Sequence, residues 1–151
     1  MKYFSITELC KSATAKRKGI DNTPSAAVKA NLTALVANVL DPLREAWGQP
    51  IIVTSGYRCE RLNRAVGGAS KSQHIEGKAA DIHTVSDKPS DNRKLLDLII
   101  SSRLPFDQLI WEYGGDTGPD WVHVSFNEGA NRRKVLRAKR VSGKVVYIRI
   151  G

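Results

Sequence analysis

Between residues 28 and 43 the apolar positions Val28, Leu32, Leu35, Val36, Val39, Leu40 and Leu43 recur at spacings of three, four and one. That is the stripe of a helix with one core-facing side. Thr23 is placed to cap this helix and Pro24 to occupy its first position. Pro42 falls inside the pattern and predicts a kink or an end near Asp41. Upstream, residues 4–10 form a short element followed by a basic loop, Lys16-Arg17-Lys18-Gly19. Downstream the period shortens. Residues 51–54 read as a short buried strand running into Ser55-Gly56-Tyr57-Arg58, and 59–66 as a brief helix stopped by Gly67-Gly68. Residues 69–75 read as loop and 79–83 as a second strand. Pro89-Ser90 opens a helix with Leu95, Leu98 and Ile99 on its apolar side, ending before Pro105. Strands over 107–112 and 121–126 flank a loop rich in glycine and proline, and 135–141 with 144–150 read as a hairpin across Ser142-Gly143. Helices first, then strands with a helix between them, predict an α+β fold.

Composition narrows the class. The 151 residues suffice for one domain whose core needs no disulfide. No apolar run is long enough for a transmembrane segment. The first twenty residues contain Glu8 and no continuous apolar stretch, which argues against a secretory signal and for cytoplasmic synthesis. Cys10 and Cys59 lie far apart without a C-x-x-C, so neither a disulfide framework nor a zinc ribbon is expected. No glycine-rich phosphate motif is present, which leaves nucleotide chemistry unsupported. The net charge of +9 is localised: residues 131–151 hold eight of the 24 basic residues and none of the 15 acidic ones. This basic C-terminal hairpin would be drawn to polyanions such as nucleic acid, an anionic membrane surface or acidic envelope polymers, unless it is only a solvated face.

Candidate chemistry gathers around three histidines, His74, His83 and His123. His74 stands in Ser72-Gln73-His74-Ile75-Glu76-Gly77-Lys78-Ala79-Ala80-Asp81, a histidine on a loop ahead of an aspartate on a strand, with small residues between. In Asp120-Trp121-Val122-His123-Val124-Ser125-Phe126, period-two alternation sends Val122, Val124 and Phe126 to the core. Trp121, His123 and Ser125 share the other face, where a cleft wall is expected. A catalytic zinc site uses three protein ligands of these types and keeps a fourth position open.

These segments, with Thr54-Ser55-Gly56-Tyr57-Arg58 and Phe106-Asp107-Gln108-Leu109-Ile110, resemble the zinc D-alanyl-D-alanine carboxypeptidase / VanY-like metallopeptidases. That family includes the L-alanyl-D-glutamate endopeptidases of phage endolysins. The resemblance spans residues 3–130 and is closest to the short phage-type members. It implies a small antiparallel sheet flanked by helices, one zinc ion held by His74, Asp81 and His123, and Asp120 as catalytic base, with Glu112 as the fallback. Arg58 would stabilise the oxyanion or clamp a substrate carboxylate. Ser72, Gln73 and Trp121 are candidate substrate contacts. The implied activity is hydrolysis of an amide bond in the peptidoglycan stem peptide, by a monomer that reaches the cell wall after release. The endopeptidase is favoured over the carboxypeptidase, and a phage or prophage endolysin is the expected role.

Plainer readings stand beside these. His83 is read as packed or solvated, although it shares a strand face with Asp81. Arg58 could be a surface ion-pair partner of Glu60. Trp47 and Trp111 are economically core or cleft-wall aromatics, and Cys59 a small buried residue. The rival function is a non-catalytic peptidase-like module that binds polyanions or nucleic acid through its basic C-terminus.

Overall fold

The computed structural model describes residues 1–151. Six helices, α1 (Ile6–Cys10), α2 (Ala13–Lys18), α3 (Ala26–Leu35), α4 (Asp41–Trp47), α5 (Glu60–Ala65) and α6 (Pro89–Ser101), accompany six strands. The strands are β1 (Ile51–Ser55), β2 (Ala79–Thr84), β3 (Gln108–Glu112), β4 (Trp121–Ser125), β5 (Lys134–Val141) and β6 (Lys144–Arg149). They form one sheet in the order β1-β2-β4-β3-β5-β6. The α+β expectation holds. The sheet is mixed, however, because β5 runs parallel to β3 while every other pair is antiparallel. The hairpin reaches its place by leaving β4 and crossing to the far side of β3, which sets β5 in the parallel direction.

The long stripe helix differs from its sequence reading at both ends. It begins at Ala26, where the Ser25 hydroxyl accepts from the Val28 N–H; Thr23 instead turns back onto the Asp21 carboxylate. At its other end the chain does not stop before Pro42. A π-helical turn, Val36–Leu40, joins α3 to α4, and Pro42 sits in the first turn of α4. The wider turn brings the chain to a position where the missing proline N–H goes unused, so the helical path continues. The basic run at 16–18 is likewise helical, since it forms the last turn of α2. Three cations there suit the negative end of the helix, and Gly19 closes it with φ 63°.

Alternation along the strands sorts side chains between two faces. Ala80 and Ile82 of β2, Leu109 and Trp111 of β3, and Val122 and Val124 of β4 point to one face and are buried against Leu32, Leu35, Val39, Leu43, Leu95 and Ile99 of the helices. The opposite face carries Asp81, His123 and Glu112, because Asp81 pairs with His123, Ile110 with His123, and Glu112 with Trp121. One face is core and the other is chemistry. No helix is long and apolar enough to cross a membrane.

Candidate metal centre

His74, Asp81 and His123 converge, with one ligating atom from each lying within 4.8 Å of the others. Three different devices bring them there. Asp81 and His123 are direct cross-strand partners on β2 and β4. His74 belongs to a 3-10 turn, Gln73–Glu76, which the Ser72 hydroxyl caps by accepting from the His74 N–H. Gly77, at φ 72°, closes that turn, and a Cβ there would press on the Val28 and Leu32 side chains of α3. The small residue in the motif lets the turn lie against the helix.

Asp81 Oδ1 lies 3.2 Å from His74 Nε2 and 3.2 Å from His123 Nδ1. The two rings meet edge-on, with centroids 5.1 Å apart. His74 Nδ1 is 2.7 Å from the Gly56 carbonyl oxygen. A carbonyl can only accept, so the ring proton is on Nδ1 and the Nε2 lone pair faces the centre. Burial alone would push the Asp81 carboxyl up, but the charges and hydrogen bonds of His74 and His123 hold it well below the usual range. His123 Nε2 is buried without a partner. An ionised carboxylate between two imidazoles, shielded from water, is a donor set that one divalent cation would satisfy. The residues present therefore fit zinc.

Glu112 lies on the same face, one strand over from Trp121 and His123. Burial pushes its carboxyl from the ordinary 4.5 up to about 7; the Asp81 charge adds to this, while His123 and Arg58 oppose it. Asp120 is placed differently. It precedes β4 and is exposed, its N–H donating to the Glu112 carbonyl and its own carbonyl accepting from Asn92 of α6. Its carboxylate borders a groove shared with Tyr113, Trp121, Arg137 and Arg140 and does not join the trio.

Arg58 is half-buried and pairs with no carboxylate. Its guanidinium donates to Asn63 Oδ1 (3.1 Å), Ser55 Oγ (3.1 Å) and Ser72 Oγ (3.4 Å). Burial lowers its pKa, and the charges of Asp81 and Glu112 partly restore it. It ties the end of β1 to the His74 turn. Gln73 donates to buried Asp107 at 2.8 Å, which Arg132 also holds through two nitrogens. Trp121 stands beside Tyr113, ring centroids 5.5 Å apart, with its own Nε1 buried and unpaired. His83 is turned to the Thr84 carbonyl (2.6 Å) and lies 3.4 Å from Asp87. Cys59 caps α5, its Sγ accepting from the Leu62 N–H. The sequence reading overlooked Asn63 and Asn92, which have no motif signal. Glu112 was legible as the carboxylate that alternates with Leu109 and Trp111.

A family model described as Peptidase M15 matches residues 2–125. The chain belongs to the Peptidase M15 family. It is a zinc metallopeptidase of the D-Ala-D-Ala carboxypeptidase / VanY-like kind, and its substrate is peptidoglycan. No curated protein matches the chain. The M15 match ends at β4, so the β5–β6 hairpin lies beyond it.

Proposed function

We propose that this M15 peptidase cleaves within the stem peptide, at the L-Ala-D-Glu bond, with Glu112 as its general base. When bound, zinc supplies a Lewis acid and brings water within reach of ionisation at neutral pH. Glu112 is a carboxylate on the metal face outside the ligand trio, and a carboxyl that titrates at about 7 is matched to proton transfer at neutral pH. A carboxylate oxygen of Glu112 takes the proton of the attacking water and passes it to the amine nitrogen that departs. His74 and His123 stay fixed by the Gly56 carbonyl and by the β2–β4 ladder, and Asp81 remains ionised between them. Replacing Glu112 by Gln is expected to lower kcat roughly 10²–10⁴-fold. Replacing Asp120 by Asn should leave kcat within a few-fold; a reversed ranking would return the base to Asp120.

The endopeptidase reading rests on the resemblance to the short phage-type members. Arg58 serves either reading, since three of its N–H groups go to the neutral Ser55, Asn63 and Ser72 and its charge has no anionic partner. Mass spectrometry of muropeptides after digestion tests the endopeptidase reading. Products with a new D-Glu amino terminus support the endopeptidase, and loss of terminal D-Ala alone would make the enzyme a carboxypeptidase. We further propose that it serves as a phage or prophage endolysin, acting as a monomer on the wall.

A further inference from the structure

The metal face does not end at Glu112. Glu112 pairs with Ala138 of β5, and Ala138 pairs with Tyr147 of β6. Paired residues share a face, so Tyr147 stands in the same row as the proposed base, two strands away, or roughly 10 Å. The residue between them, Ala138, has only a methyl side chain. Ile110, Leu136 and Ala138 form a small buried apolar cluster. Partial burial, and then the charges of Glu112, Tyr113 and Asp81, raise the pKa of the Tyr147 phenol, which keeps it a proton donor at neutral pH. Tyr147 nevertheless remains 53 % exposed, open to a ligand. On either side in this face stand cations: Arg140, pairing with Val145, and Arg149, pairing with Leu136.

We infer that the β5–β6 hairpin, beyond the M15-matched residues, is the distal wall of the substrate cleft, with Tyr147 its principal contact. It would bind the carboxylate-bearing segment of the stem peptide on the side of the scissile bond away from Arg58. The phenol donates to a substrate carbonyl or carboxylate, and Arg140 and Arg149 favour an acidic chain over a neutral one. This inference rests on the peptidase reading above but concerns recognition and not hydrolysis.

Binding separates the two. A synthetic stem tetrapeptide containing L-Ala-D-Glu is titrated by calorimetry into zinc-loaded Glu112→Gln protein, with and without a second change at Tyr147. Tyr147→Ala should weaken binding about tenfold, the factor one ordinary hydrogen bond to a charged group supports. Tyr147→Phe should recover only the part due to packing. Zinc content and circular dichroism, unchanged in both variants, establish that the hairpin still folds. Equal affinity for all three proteins, or no binding to the protein that retains Tyr147, overturns the inference. Tyr147-dependent binding without cleavage by the wild-type enzyme would sustain it and sink only the hydrolase reading.

Discussion

Glu112 is a carboxyl whose proton the folded chain keeps and the unfolded chain releases between pH 4.5 and about 7. Its contribution to stability is therefore whole below pH 4.5 and is lost as the pH rises through about 7. In metal-free protein this is at most on the order of 3 kcal/mol. Urea unfolding of chelator-treated protein at pH 5 and pH 8 should show a fall in stability that Glu112→Gln reduces. If the two proteins keep the same pH slope, the carboxyl is not held protonated by its surroundings. The metal ligands were legible in the sequence because residue type, spacing and strand alternation all pointed to the same three side chains. For the base, the motif pointed to Asp120 and left Glu112 as the fallback, and Glu112 is our proposal. Their difference lies in parity: Trp121 and His123 share a face, Asp120 falls out of step with them, and Glu112 is carried onto their face by pairing with Trp121.

At the level of elements, the junction between β1 and the His74 turn carries the centre. Gly56 offers its carbonyl to His74, while a Cβ on Gly56 would run into the Leu9 carbonyl of α1. Gly56→Ala should therefore displace the oxygen that orients His74 and weaken zinc about 10–100-fold, as loss of a partner to a metal-bound imidazole does. Competition with a chromogenic chelator measures this directly; unchanged affinity would mean the strand end yields without disturbing the ring. Most strands and α6 could be placed from periodicity alone. The π turn at Val36–Leu40 could not, because apolar spacing reports which side is buried and not how many residues make the turn. The parallel pairing of β3 with β5 was also hidden, since it depends on which edge of the sheet the hairpin joins.

Across the whole molecule, the basic C-terminal segment divides into two sets. Arg132 is bound to Asp107, Arg133 lies over the Phe106 ring and donates to the Ile100 and Ser102 carbonyls at the end of α6, and Arg137 covers Trp111 while pairing with Asp116. These guanidiniums pack the hairpin onto the body. Lys134, Lys139, Arg140, Lys144 and Arg149 make no ion pair within the chain, and Arg140 lies over the Tyr113 ring; we propose that three of these, Lys139, Lys144 and Arg149, attract acidic envelope polymers. Changing these three to Gln should weaken adsorption to isolated walls and flatten its salt dependence, without lowering turnover of a small soluble peptide except through Arg149. A sedimentation assay across salt concentrations reads this; adsorption that ignores both salt and substitution would rule the segment out as an adhesive.

The parallel seam between β3 and β5 also bears on how the protein is made. Both neighbours of β4 can assemble as soon as residue 125 has left the ribosome, but one margin of β3 stays bare until the chain has been extended through β5. A nascent or proteolytically trimmed chain that stops short of Lys134 would present the backbone of Leu109, Ile110 and Trp111 to any passing strand. Loss of the hairpin would then show first as clumping of newly made polypeptide, before any effect on hydrolysis could be observed.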